Sequence, residues 1–563
     1  MTQLIECVPN FSEGRDLSVI RRITDEIEKV EGVALLDVDP GKATHRTVVT
    51  FAGEPGPVIE AAVQAARKAK ELIDMRRHKG EHPRMGAMDV CPLVPVSSIT
   101  MDETVVHARN LARRLGEEVG ITVYCYESAA LDERRRNLAF VRQGEYEGLA
   151  EKLGRPEGKP DFGPATFDPR YGATAVGARD FLVAYNVNLN TTSTRRANAI
   201  AFDIREKGRV KREGDPLTGP VVTDAQGNPV FLPGSLKCVK AIGWFIDEYG
   251  IAQISINLTN ISVTPIHVAF DEVCRRAQER GIRVTGSEIV GLVPLRAVLD
   301  AGRYFLEKQQ RSTGVSDREL IKIAVKSLGL DDLKPFVPEE KVIEYVLERK
   351  AGGKRRLVDL TLRGFVEETA AESPAPGGGS VSAAIGALGA ALATMVANLS
   401  SHKRGWDQRW EEFSKVAERG KALHDELLLL VDEDTAAFNR IMEAFGMPKG
   451  SDDEVAARRA AVQAATRYAM EIPLRVMERA LQSMDVIGEM VDKGIPASVT
   501  DAGVGALCAR LAVRGAFLNV RINGQGLDDK EVARDFVRRG SALEKEAEER
   551  ERAILHVVEQ KMR

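Results

Sequence analysis

A chain of 563 residues exceeds what one hydrophobic core organises, so two to four domains are expected. Its 29% charged and 44% hydrophobic residues are an ordinary globular balance, and a net charge of -4 gives no sign of bulk affinity for nucleic acid or membrane, so any anion site is local. Six cysteines (Cys7, Cys91, Cys125, Cys238, Cys274, Cys508) lack paired spacing, which argues against a disulfide framework or zinc knuckle and for a reducing cytoplasm. The opening MTQLIECVPNFSEGR has no basic stretch followed by an apolar one, so no secretory signal is expected.

Along the first half, short β-type runs alternate with helical patterns. Residues 4–9, an amphipathic stretch 17–30, then 34–39, 47–52, 58–73 and 90–96 read as β-α-β-β-α-β, followed by a helix near 104–118 and a strand at 122–126. The order recurs at 181–188, 193–206, 239–247, 252–258, 266–279 and 283–285. Two tandem ferredoxin-like units are expected, each with helices on one face of a mixed sheet. Between them, residues 154–172 are rich in Gly and Pro and read as a loop, and 214–234, with four prolines, reads as an irregular interruption of the second unit. Residues 349–356, RKAGGKRR, make a basic linker. Beyond it only helical patterns appear, at 409–445, from the capping box at Ser451 to Glu454, and at 529–562, with Pro473 expected to kink one member of an all-α bundle.

Residues 380–401 run uncharged for about the length of a membrane span. Their Ala, Gly and Ser content is only weakly hydrophobic and suits close packing inside a bundle, the reading preferred here.

The densest chemistry lies in residues 77–90, where His78 and His82, three cations and two carboxylates stand among chain breakers ahead of an apolar run. This pattern reads as an active-site loop. His78 and His82 have zinc-ligand spacing only on a helix, which Gly80 disfavours, so no metal is expected.

The stretch HKGEHPRMGAMDVCPLVPV from His78, with NFSEGR at Asn10 to Arg15 and LLDVDPG at Leu35 to Gly41, resembles the N-terminal part of glutamate formimidoyltransferase. The stretch SPAPGGGSVSAAIGALGAAL, from Ser373 to Leu392, resembles the start of a formimidoyltetrahydrofolate cyclodeaminase domain. Their order is that of the bifunctional formimidoyltransferase-cyclodeaminase family. The resemblance implies three parts and a linker: 1–178 and 179–335 as the two transferase subdomains, 336–356 as a linker helix and basic linker, and 357–563 as the cyclodeaminase. It also implies formimino transfer from N-formimino-glutamate to tetrahydrofolate, then closure to 5,10-methenyl-tetrahydrofolate with loss of ammonia, in histidine breakdown. Tetrahydrofolate, expected as a polyglutamate, is a co-substrate, and no metal, nucleotide or flavin is required. The partners expected are small molecules, neither nucleic acid nor membrane, and further copies of the chain joined through the helical domain.

Transfer requires one group to take a proton from the attacking amine and give one to the departing nitrogen, work that suits a histidine. The family's catalytic histidine maps to His82, flanked by Pro83 and Arg84. Asp39 either orients that imidazole or is a turn carboxylate ahead of Pro40 and Gly41. Folate needs a slot for a planar ring, peptide N–H groups and cations. Two stretches align with the family's folate-binding segments: Gly163, Pro164, Ala165, Thr166, Phe167, Asp168, Pro169, Arg170, Tyr171 and Gly172, and Gly234, Ser235, Leu236, Lys237, Cys238, Val239, Lys240, Ala241, Ile242 and Gly243. Residue chemistry alone would make both ordinary loops.

Ring closure requires a shuttle between N10 and the leaving nitrogen, which a carboxyl raised by burial supplies. The family's catalytic aspartate maps to Asp434, four residues before Phe438 on one helix face, while Asp432 and Glu433 read as a solvated patch. Pro376 to Ser380 either caps a helix or binds a folate carboxylate at its positive end. Two alternatives remain: a bundle acting as a methenyltetrahydrofolate cyclohydrolase, and a folate-binding scaffold with decayed catalysis.

Overall fold

A computed structural model describes the chain apart from residues 1–2, 42–44, 80–82, 215–217, 351–355 and 374. It forms two compact units, Met1–Ala301 with Val325–Gly353, and Gly302–Ala324 with Lys354–Arg563. The first is α/β and the second helical.

The first sheet begins with a strand broken at Val8 and Pro9 into β1 (Leu4–Cys7) and β2 (Asn10–Phe11). After α1 (Leu17–Glu28) come β3 (Val33–Gly41), β4 (Arg46–Gly53), α2 (Pro55–Leu72), β5 (Met88–Ser97), α3 (Met101–Arg114), β6 (Thr122–Glu127) and β7 (Ala173–Ala178). The spatial order is β1-β4-β2-β5-β7-β6, with β3 outside β4. β5, β7 and β6 run parallel, so this sheet is mixed. Its core packs Ile23 and Ile27 of α1 and the alanine-rich face of α2 against Phe51, Met88 and Leu93. β7, whose sequence is ATAVGA, went unforeseen because it is buried on both faces and so lacks alternation. Short helices at Leu138–Val141 and Leu149–Leu153 also interrupt the segment before it.

The second sheet holds β8 (Val183–Leu189), then, after α4 (Thr194–Ile204) and a small pair β9 (Arg209–Val210) and β10 (Phe231–Leu232), β11 (Val239–Ile246), β12 (Ile251–Leu258), α5 (Ile266–Gln278) and β13 (Val284–Val290). Its order is β11-β12-β8-β13. All three pairings are antiparallel, so the expectation of a mixed sheet is corrected here: β12 returns between the two parallel-running strands and separates them. The described residues of the irregular stretch 214–234 belong to an antiparallel arm, with Lys211 and Val230, and Arg212 and Val221, paired across it.

In the helical unit, α6 (Gly378–Ser401), α7 (Trp410–Gly446), α8 (Asp452–Lys493), α9 (Val499–Gln525) and α10 (Lys530–Met562) pack around one core. Asp452–Lys493 is one continuous helix with Pro473 inside it and the Ser451–Glu454 capping box at its start. Among the described residues, two helical segments, Gly378–Ser401 and Pro496–Gln525, are long and apolar enough to cross a membrane, yet 61% and 50% of their apolar windows are buried inside the bundle. Residues 302–324, expected with the second α/β part, belong to this unit: Ser312 Oγ donates to Asn398 Oδ1 (2.6 Å), Asn398 Nδ2 to Gly314 O (2.8 Å), and Thr313 N to Ser414 Oγ (3.1 Å).

Candidate functional site

The NFSEGR segment folds onto the loop that follows α2. Ser12 Oγ donates to Gly86 O at 2.7 Å, and Ser12 N to Ala87 O at 2.8 Å. Gly86 is required there because a Cβ would lie 2.4 Å from Ala173 O of β7. Glu13 then accepts from its own turn, at Gly14 N, Arg15 N and Asp16 N. His45, at φ 51°, sets its ring between this carboxylate and the loop, with Nε2 3.1 Å from Glu13 Oε1 and Nδ1 3.1 Å from Lys79 O. Each nitrogen faces an oxygen that only accepts. Burial would raise the Glu13 carboxyl, but the N–H groups of Asp16 and Arg15 and the His45 ring together hold it below the usual glutamate range.

His78 stacks on His45, with ring centroids 4.4 Å apart and planes 10° from parallel. Its Nε2 lies 2.7 Å from His45 O, and its Nδ1 accepts from Arg84 Nε at 3.3 Å, which fixes the Nε2–H tautomer and leaves no lone pair for a metal. Burial pushes this ring below the ordinary histidine range. Arg84 also grips Glu147 with two bonds of 2.6 and 2.8 Å and lies over the Tyr146 ring. Behind this, Arg46 and Arg142 converge on the fully buried Asp89 carboxylate, whose other oxygen accepts from Met85 N at 2.8 Å. His82 lies outside the described residues. Asp39 stands exposed inside β3 opposite Val48, and the strand runs on to Gly41 rather than turning at Pro40.

The stretch from Gly163 to Gly172 reaches this cluster through Tyr146. The Tyr146 ring lies 5.6 Å from that of Phe167, and its hydroxyl donates to Pro169 O. Asp168 caps the turn by accepting from Arg170 N and Tyr171 N, and Arg170 Nη2 donates to Glu71 O at 2.6 Å. Tyr171 corrects the aromatic-slot reading: it is 1% exposed, bonded to Thr174 Oγ1 at 2.8 Å, and belongs to the core. The stretch from Gly234 to Gly243 enters β11. Ser235 bonds Glu272 (2.6 Å), Leu236 is buried, Cys238 at φ 54° bonds Glu206 through its N–H, and Lys237 and Lys240 are exposed.

From Val239 on, the strand's even residues Lys240, Ile242 and Trp244 share a face with Asn257, Ser255 and Gln253. On that face Gln253 Nε2 donates to Asn188 Oδ1 (2.8 Å) and Asn186 Nδ2 to Glu288 Oε1 (3.0 Å), while Trp244 Nε1 donates to Gln253 Oε1 (3.2 Å). This amide ladder, like Tyr146, escaped the sequence reading, in which His45 stands near Asp39 only as a less specific candidate. The alternation of Asn186 and Asn188 between Tyr185, Val187 and Leu189 was the ladder's available signal.

In the helical unit, α7 buries Leu427, Leu430, Val431 and Ala437, and the same face carries Asp434 inward. Its carboxyl lies flat on the start of α6, where a Cβ on Gly379 would meet Asp434 Oδ1 at 2.1 Å. Ser380 offers both its N–H and its hydroxyl, the latter 3.1 Å from Asp434 Oδ2. Burial raises this carboxyl above the usual aspartate range, against the two Ser380 donors. Asp432 instead accepts from Leu357 N at 2.6 Å, and Glu433 is bonded by the Tyr468 hydroxyl beside Arg440.

Comparisons with known proteins follow this division. Family models match residues 4–179 (formiminotransferase domain, N-terminal subdomain), 184–348 (formiminotransferase domain) and 361–541 (formiminotransferase-cyclodeaminase). Over 559 residues the chain is 42% identical to the formimidoyltransferase-cyclodeaminase of Mus musculus, covering 99% of both. The chain belongs to the formimidoyltransferase-cyclodeaminase family. Two shorter relatives match separate parts of the chain. A glutamate formimidoyltransferase of Streptococcus pyogenes serotype M1 is 39% identical over 307 residues, 54% of this chain and 94% of that protein. A methenyltetrahydrofolate cyclohydrolase of Methylorubrum extorquens is 34% identical over 202 residues, 36% of this chain and 97% of that protein.

Proposed function

We infer that this chain carries out both reactions for which its relatives are named. It transfers the formimino group of N-formimino-L-glutamate to N5 of tetrahydrofolate, then closes 5-formimino-tetrahydrofolate to the 5,10-methenyl form and releases ammonia. The observation that carries this reading is the meeting of two distant motifs: the Gly-rich start of α6 and the acidic segment of α7 form one buried carboxyl site at Gly379, Ser380 and Asp434. A carboxyl raised by burial above the usual aspartate range, with two hydrogen bonds still holding its ionised form, is suited to taking up and returning a proton. Asp434 therefore takes the N10 proton and returns it to the departing nitrogen.

At the transferase site His82, to which the family's catalytic histidine maps, is assigned the role of proton carrier. Asp39 is assigned the supporting carboxylate role. Folate, carrying a polyglutamate tail, is assigned to Phe167 and Arg170 with the backbone of Gly163 to Gly172, and to Lys237 and Lys240 with the start of β11. No metal enters either step. The strand order β13-β8-β12-β11, with two intervening helices, supports a ferredoxin-like unit, and β5-β2-β4-β3 supports a second one extended by β7 and β6. Family-model boundaries at 4–179, 184–348 and 361–541 support the three-part division.

Small molecules and further copies of the chain are the proposed partners, with neither nucleic acid nor membrane among them. Val504, Leu507, Leu511, Leu518 and Ile522 form an exposed stripe along α9 at helical spacing, which supports oligomerisation through the bundle. Six free thiols support a reducing, cytoplasmic setting. Incubating the pure protein with formimino-glutamate and tetrahydrofolate tests the whole reading: methenyl absorbance and ammonia should rise together. The cyclohydrolase relative favours one second reading, hydrolysis of methenyl-folate by the bundle. It is the better reading if methenyl-folate is consumed and formimino-folate releases no ammonia.

A further inference from the structure

The hydroxyl of Ser380, fully buried, lies within reach of two acceptors at once. Its Oγ is 2.8 Å from Val431 O and 3.1 Å from Asp434 Oδ2, with Thr435 Oγ1 at 3.3 Å. A serine hydroxyl has one proton and rotates about one bond. It donates fully to one of these acceptors at a time.

We propose that Ser380 is a positioning residue whose hydroxyl rotates with the protonation of Asp434. When the Asp434 carboxyl is ionised, the hydroxyl proton points to Oδ2. When the carboxyl has taken a proton, the hydroxyl turns its own proton to Val431 O and accepts from the new acid through its lone pair. Both forms of Asp434 stay hydrogen-bonded without movement of either helix. The backbone N–H of Ser380 holds the carboxyl in place throughout.

Few other groups compete for this role. Helix α6 has no ionisable side chain among its residues. On α7, Asp432 is engaged by Leu357 N, and Glu433 by Tyr468 and Arg440. On α9, Asn519 approaches Gly378, while Arg521 lies over Phe517 and Arg514 pairs with Glu544. Burial and Ser380 are the causes that act on the Asp434 carboxyl, burial the larger.

The inference rests on the assignment of Asp434 as the cyclisation shuttle. The test is the pH profile of cyclisation with supplied 5-formimino-tetrahydrofolate, measured for the full-length parent, Ser380→Ala and Ser380→Thr, with Asp434→Asn in parallel. Losing a hydrogen bond to the ionised carboxyl should move the acid limb of the Ser380→Ala profile up by about one pH unit or more. Ser380→Thr, which keeps the hydroxyl, should leave the limb at the parent position. If Ser380→Ala is insoluble, Ser380→Cys, whose thiol is a weak donor, should move the limb in the same direction. A limb that stays in place while the rate falls would make Ser380 merely structural and overturn the rotor, as would a Thr variant shifted as far as Ala. Parent-rate cyclisation by Asp434→Asn would overturn the Asp434 assignment itself.

Discussion

Adding one methyl group at Gly379 should disable ring closure and leave formimino transfer intact. The Cβ of Gly379→Ala would lie 2.1 Å from Asp434 Oδ1 and 2.5 Å from both Cγ and Oδ2. Carbon-to-oxygen contact requires about 3.3 Å, so the carboxyl must retreat by about 1 Å. A shift of that size in a reacting group costs on the order of 100-fold in rate. Stability should change less, because the roughly 1 kcal/mol gained by alanine over glycine in a helix is offset by about 1–3 kcal/mol of overpacking. The assay supplies 5-formimino-tetrahydrofolate and follows ammonia and methenyl absorbance, with transfer from formimino-glutamate measured on the same preparation. The expected result is an approximately 100-fold lower cyclisation kcat, unchanged transfer and accumulating formimino-folate. A folded Gly379→Ala protein that cyclises near the parent rate would refute the placement of the catalytic carboxyl against this glycine.

His82→Ala should abolish transfer while cyclisation of supplied formimino-folate continues; equal loss of both activities in a well-folded variant would contradict separate shuttles. Asp434 titrates higher in the fold than in an unfolded chain, so its ionisation disfavours the fold: stability is fullest below the ordinary aspartate range and declines as pH rises through the raised value. Asp434→Asn, neutral throughout, should therefore melt higher than the parent at pH 7 and match it at low pH, and calorimetry showing the reverse would remove the burial argument. Replacing Lys237 and Lys240 by Gln should weaken long polyglutamate tails more than a single glutamate, most at low salt, and equal losses across tail lengths would move these lysines out of the tail site.

Elements with a clear period were legible in the sequence. The alternation in β4 and β11 and the apolar stripes of α1, α5 and α7 all coincide with helices or strands near the expected bounds. β7 was not legible, because small residues buried on both faces carry no period. Of the site, Asp434 is visible as an acid among apolar neighbours on a helix. Its partners Gly379 and Ser380 are more than fifty residues earlier, and only packing joins them. The same holds for His45, whose ring meets Glu13 from 32 residues away and Lys79 from 34. The local sequence around His45 marks it only weakly, since its contacts come from segments that meet only once the first sheet has formed.

The boundary between the two units is crossed three times by the backbone, because Gly302–Ala324 leaves the α/β unit and belongs to the helical one. During synthesis those residues emerge well before the helices that bury Ser312 and Thr313 exist. They have to wait, partly unsatisfied, until Asn398 and Ser414 have been made. A cut near residue 350 would therefore not release a complete bundle. The nicked pieces should stay together, and a gene split at that point should yield a helical domain lacking one of its own walls.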